Sequence, residues 1–96
     1  MIASFGDKAT EALYHGLRPK VIRRFPPDAA RVAVRKLDML NAARQLRDLR
    51  SPPGNRFEAL RGDLKGFYSI RVNDQWRVVF RWVGSDALDV RVTDYH

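Results

Sequence analysis

Ninety-six residues, 45% hydrophobic and 10% aromatic, suffice for one small compact domain (1–96) and leave no room for a second core. The absence of cysteine excludes disulfides, thiolate metal sites and a cysteine nucleophile, and no run approaches the eighteen apolar residues of a membrane span. No apolar leader opens the chain, so a cytoplasmic protein with no membrane partner is expected.

The net charge of +7 is unevenly placed. Residues 1–56 hold twelve Lys/Arg against five Asp/Glu, and residues 57–96 hold six of each. A basic half beside a neutral half suggests an anionic partner, nucleic acid being the commonest; the alternatives are a solvated surface or a face that meets an acidic protein.

In chain order, Ile2 to Phe5 reads as a short first strand. Asp7 to His15 reads as a helix capped by Asp7 and ended by Gly16. Leu17 to Pro27 is basic and broken by prolines, which predicts a connecting loop. A longer helix is expected from about Asp28 to Leu46, with Ala30, Ala33, Val34, Leu37 and Leu40 on its apolar stripe. Arg31, Arg35 and Asp38 lie away from that stripe. Val32 and Met39 fall on a third side, available to the first helix or to a partner.

The run Arg50-Ser51-Pro52-Pro53-Gly54-Asn55-Arg56 predicts a loop, and beyond it the period changes from helical to alternating. Four strands are expected: Phe57 to Leu60, Gly66 to Val72, Trp76 to Val83 and Leu88 to Thr93. Helices followed by an antiparallel sheet make an α+β domain, two N-terminal helices packed on a small sheet.

The alternation sets a register for the central hairpin. With Asn73-Asp74-Gln75 as its loop, Val72 pairs with Trp76, Ile70 with Val78 and Tyr68 with Phe80, all on an apolar face. On the other face Arg71 then opposes Arg77, and Phe67 opposes Arg81. Like charges directly opposed cost up to about 1 kcal/mol. The pair therefore suggests an anion between the two guanidiniums, whose planar forks suit phosphate; the alternative is that both side chains fan into water. Arg91, Arg61 and Glu58 can reach the same face, and Phe67 or Tyr95 can stack on an unpaired base.

Asp94-Tyr95-His96 follows the last strand. An imidazole beside a carboxylate and a phenol, in a chain rich in cations, is suited to moving protons at an RNA phosphodiester. His15, at the end of the first helix, is read as a structural residue that meets the helix dipole. No His/Asp/Glu cluster has metal-ligand spacing and no glycine-rich phosphate loop occurs, so neither a metal nor a nucleotide cofactor is expected.

Three segments together resemble the HigB toxins of the RelE superfamily, to which the GraT toxin is similar. They are Leu46 to Arg56, Ser69 to Arg77 and Asp94-Tyr95-His96. The resemblance spans nearly the whole chain and implies a RelE-like microbial ribonuclease fold. It implies a type II toxin that enters the ribosomal A site of the 70S ribosome and cuts the mRNA there without a metal. It also implies a helix-turn-helix antitoxin of the HigA type, through which alone the toxin would meet operator DNA.

Carried onto this sequence, the catalytic set is His96, Asp94, Tyr95, Arg77 and Glu58, with Arg61, Arg71 and Arg91 binding phosphate or RNA. Some HigB proteins carry a histidine where this chain has Glu58, so the base is either Glu58 or His96. The alternative function is a non-catalytic basic module that binds RNA or DNA.

Overall fold

The structure, a computed structural model, describes residues 1–17 and 19–94. Helix α1 (Lys8–His15) starts where the Asp7 carboxylate accepts the Thr10 amide at 2.8 Å and stops at Gly16, whose left-handed φ of 68° closes the C-terminus. The segment read as a loop between residues 17 and 27 contains a one-turn helix, α2 (Pro19–Ile22). Pro19 causes no break because it stands at the first helical position, where no amide partner is required.

Helix α3 (Pro27–Ala42) has a proline at its first position and ends four residues before the expected Leu46. The Asp48 carboxylate explains the early end. It accepts the amides of Arg44 and Gln45, each at 3.0 Å, and turns the chain into a 3-10 segment, Leu46–Arg50. Those two amides hold the Asp48 carboxyl below the usual carboxylate range. The stripe of α3 is rotated slightly from expectation: Ala29, Ala33, Leu37 and Leu40 are buried, whereas Ala30 and Val34 are only half-buried. Lys36 is buried with them.

Four antiparallel strands form one sheet in sequence order: β1 (Glu58–Ala59), β2 (Tyr68–Arg71), β3 (Trp76–Val83) and β4 (Asp86–Asp94). The outer pair differ from expectation in length. β1 shrinks to two residues, while β4 starts at Asp86 because Gly84, at φ 65°, allows a two-residue turn that pairs Val83 with Asp86. The central register is the one the alternation implied, with Tyr68 opposite Phe80, Ile70 opposite Val78 and Arg71 opposite Arg77. Phe67 lies outside that ladder and does not oppose Arg81. Instead the Arg91 guanidinium stands over its ring at 5.9 Å, and Arg81 pairs with Asp89 at 2.7 Å.

The helices cover one face of the sheet. Leu13, Phe25, Leu37, Leu40 and Leu49 pack there against Ile70, Val78, Phe80, Val90 and Val92. A buried bond ties α1 down: the Val92 amide donates to Thr10 Oγ1 at 2.8 Å. At the helix–helix contact Tyr14 faces Asp38, and burial first, then that carboxylate, raise the phenol's pKa.

Residues Ile2 to Phe5 do not form a full strand. Ile2 and Phe5 make isolated parallel bridges to Ala87 and Val90, so the segment lies along β4 and covers that edge of the sheet. Between its bridges β4 carries a bulge opposite Phe80, with Asp89 in the left-handed region at φ 53°. Aspartate tolerates this conformation better than a branched residue would. Gly6 passes close by, and a Cβ at that position would lie 2.7 Å from the Asp89 carbonyl oxygen. Gly6→Ala is therefore expected to destabilise the fold by about 1–3 kcal/mol through overpacking against backbone. Urea unfolding of the variant checks this, and an unchanged midpoint would refute it.

Candidate active site

The outer face of the sheet, away from the helices, gathers the polar side chains whose ladder positions alternate with the core. Glu58 on β1 lies opposite Ser69 on β2, and Arg77 on β3 lies between Arg71 and Thr93. These positions share one face because side chains alternate along a strand. Arg77 is only 15% exposed and is held by several groups. Its Nε donates to Ser69 Oγ at 2.8 Å, its Nη2 donates to the Arg56 carbonyl at 2.7 Å, and Glu58 Oε1 lies 3.8 Å away.

Glu58 keeps 53% of its side chain exposed. The sheet thus brings a fixed guanidinium and an accessible carboxylate together. That pairing can bind an oxyanion beside a group able to take a proton.

The opposed arginines do not converge on a common point. Arg71 turns toward Asp74 in the hairpin loop at 2.6 Å, and Arg77 turns toward β1. Their repulsion is relieved by internal partners, so the register by itself does not require an anion between them. Arg91 reaches over Phe67, and Arg61 is exposed just past β1, where it lines an open cleft with Glu58, Ala59 and Leu60. Glu58 also borders a second cleft of about 510 Å³, lined by Arg50, Arg56, Phe57 and Tyr68 among others.

The loop that supplies the Arg56 carbonyl is fastened from below, a feature the sequence did not disclose. Asn55 is fully buried. Its Oδ1 accepts from Lys36 Nζ at 2.5 Å, and its Nδ2 lies within hydrogen-bond distance of the Leu49 and Ser51 carbonyls. Burial, then the charges of Arg35 and Arg71, push the Lys36 pKa below the ordinary lysine value. Arg56, next in the chain, adopts a left-handed φ of 44°. Ser69 was also missed, although its parity with Arg71 offered a signal. Asn55 offered none, since asparagine in a proline–glycine loop usually marks nothing more than a turn.

Asp94 stands on the other face by its ladder position. It pairs with Trp76, so its parity is that of the helix-side face, and its carboxylate accepts from Gln75 Nε2 at 2.9 Å. Tyr95 and His96 lie outside the described residues. Among the described residues, no three His, Cys, Asp or Glu side chains are grouped to hold a metal ion, and no helix is long and apolar enough to cross a membrane.

Comparison with known proteins agrees with this architecture. A family model described as "RelE-like toxin of type II toxin-antitoxin system HigB" matches residues 3–96. Toxin HigB-1 of Vibrio cholerae is 47% identical over 89 residues, covering 93% of this chain and 92% of that protein. Endoribonuclease HigB of Proteus vulgaris is 40% identical over a shorter stretch of 37 residues, 38% of this chain and 40% of that one. Among solved structures, a chain of the YoeB–YefM complex from Staphylococcus aureus aligns over 100% of this chain and 98% of its own length. Its TM-score is 0.62 and its identity 16%, a likeness of fold. The chain belongs to the HigB-like family of RelE-like toxins from type II toxin–antitoxin systems.

Proposed function

We propose that this toxin is an endoribonuclease that cuts mRNA in the ribosomal A site without a metal ion and is neutralised by a HigA-type helix-turn-helix antitoxin. The observation that carries the reading is the exposed Glu58 carboxylate 3.8 Å from the mostly buried, fixed Arg77 guanidinium. Membership of a toxin family and a relative named as an endoribonuclease support it.

In this reading the ribose 2′-hydroxyl attacks the neighbouring phosphorus and the bond to the 5′-oxygen breaks, leaving a 2′,3′-cyclic phosphate. Glu58 takes the proton of the attacking hydroxyl, and His96 returns a proton to the leaving oxygen. His96 serves well because an imidazole pKa of about 6.5 allows both proton states near neutrality. Asp94 tunes that imidazole and Tyr95 stacks on a base. Arg77 stabilises the phosphorane, with Arg61, Arg71 and Arg91 holding the flanking phosphates. Arg44 and Arg47 face ribosomal RNA.

Primer extension on mRNA translated by purified ribosomes tests the assignment. Glu58→Gln and His96→Ala are each expected to slow cutting by about 10²-fold or more, in line with losses of general acid–base groups. If both variants cut at the parental rate, neither Glu58 nor His96 carries the proton transfer; if the parental chain itself makes no cuts, the arginines only grip phosphate and the chain is a binding module.

A further inference from the structure

The second cleft beside Glu58 is not used by the chemistry above. It runs between the 3-10 segment Leu46–Arg50, the turn Pro53–Asn55 and the edge strand β1, and its roughly 510 Å³ fall within the ~300–1,000 Å³ typical of small-ligand sites. Its floor is aromatic: the Phe57 and Tyr68 rings stack nearly parallel, 13° apart, with centroids separated by 5.6 Å. The Arg50 guanidinium stands over Phe57 at 5.9 Å, and Arg56 lines the same cleft. Arg50 and Arg56 are both exposed, and among the described residues Glu58 is the only acidic one in the lining.

We infer that this cleft is a nucleotide subsite for the RNA strand next to the scissile phosphate, with one base lodged between Phe57 and the Arg50 guanidinium. A flat ring stacked on both faces needs about 7 Å between its neighbours, twice the ~3.4 Å stacking rise. Arg50 must therefore withdraw by about 1 Å, well within reach of an exposed arginine. The guanidinium then stacks on the outer face of the base while Arg56 meets a phosphate, the combination of planar contact and cation that single-stranded nucleic acid favours. Glu58 at the rim sets the polarity, since a strand lying in this cleft leads its next phosphodiester toward Glu58 and Arg77. An acidic peptide would use the two cations but would leave the stacked ring pair without a role.

The inference rests on the ribonuclease reading, and binding to the intact protein separates the two. A 2′-O-methyl trinucleotide, which cannot be cleaved, is titrated into the isotope-labelled chain, and backbone and side-chain NMR shifts are followed. Shifts are expected to centre on Arg50, Phe57 and Tyr68. Arg50→Ala and Phe57→Leu should each weaken binding by about tenfold, a loss of one stacking contact. Arg50→Lys, which keeps the charge but loses the plane, should weaken it nearly as much, whereas Lys8→Ala, in a separate cleft on α1 lined by Lys8, Glu11 and His15, should change nothing.

Shifts centred elsewhere would overturn the subsite, as would Arg50→Ala and Arg50→Lys variants that bind like the parent. So would a cleft that ignores the trinucleotide while Phe57→Leu weakens binding of the antitoxin. Trinucleotide binding in the cleft by a protein that fails to cut mRNA would preserve the subsite and reject the ribonuclease assignment. Cutting without binding in the cleft would do the reverse.

Discussion

Arg77→Ala is expected to lower the single-turnover rate of mRNA cutting on programmed ribosomes by about 10²–10³, the loss seen when one preorganised electrostatic donor is removed. The guanidinium already occupies a fixed position before substrate arrives. Ser69 Oγ and the Arg56 carbonyl accept two of its N–H groups, and Glu58 flanks it. The reorganisation that binding would otherwise require has therefore been met during folding.

Arg77→Lys discriminates charge from geometry. An ammonium group retains the positive charge but cannot engage Ser69 and the Arg56 carbonyl in the fork that a planar group provides. Its rate should lie close to that of the alanine variant. A lysine variant that cuts at the parental rate would show that charge alone suffices and that the fixed fork has no part in the chemistry.

Asn55→Ala carries the largest expected effect on stability, about 3 kcal/mol. It leaves the Lys36 ammonium and the Leu49 carbonyl without their side-chain partner in a buried setting, and the half-buried Ser51 carbonyl with them; each buried loss typically costs about 1–3 kcal/mol. For a domain of this size that corresponds to a melting temperature lower by roughly 15 °C. Asn55→Asp should fall between the two, because it restores an attraction to Lys36 but removes the amide donors. Calorimetry on the three proteins measures this, and an alanine variant that melts with the parent would remove Asn55 from its place as the loop's fastening.

The sheet was more legible in the sequence than its supports. Strict alternation in Tyr68 to Val72 and Trp76 to Trp82 admits one register with an apolar face, and the strands adopt it. The parity of Arg71 and Arg77 followed from the same rule. Three features resisted. Helix α2 is a single turn inside a basic, proline-marked stretch, too short to show a period. The end of α3 is set by Asp48 reaching back to two amides, a local competition that hydrophobic patterning does not record. The bulge at Asp89 places an ordinary residue at positive φ where no glycine announced it. The buried Lys36–Asn55 pair was hidden for another reason: each residue type is far commoner on a surface, and only the meeting of a helix with a distant loop brings both inside.

The N-terminal segment along β4 has a consequence for how the molecule comes into being. Ser4 accepts the Asp89 amide across 85 positions, and Thr10 accepts the Val92 amide across 82. The opening segment of the domain thus has its partners on the last strand of the sheet. Contacts so distant in sequence form late and slowly, after the closure entropy of the long intervening loop has been overcome. The sheet stays unfinished until β4 joins it, and before then the segment from Ile2 to Phe5 has no strand edge to lie along.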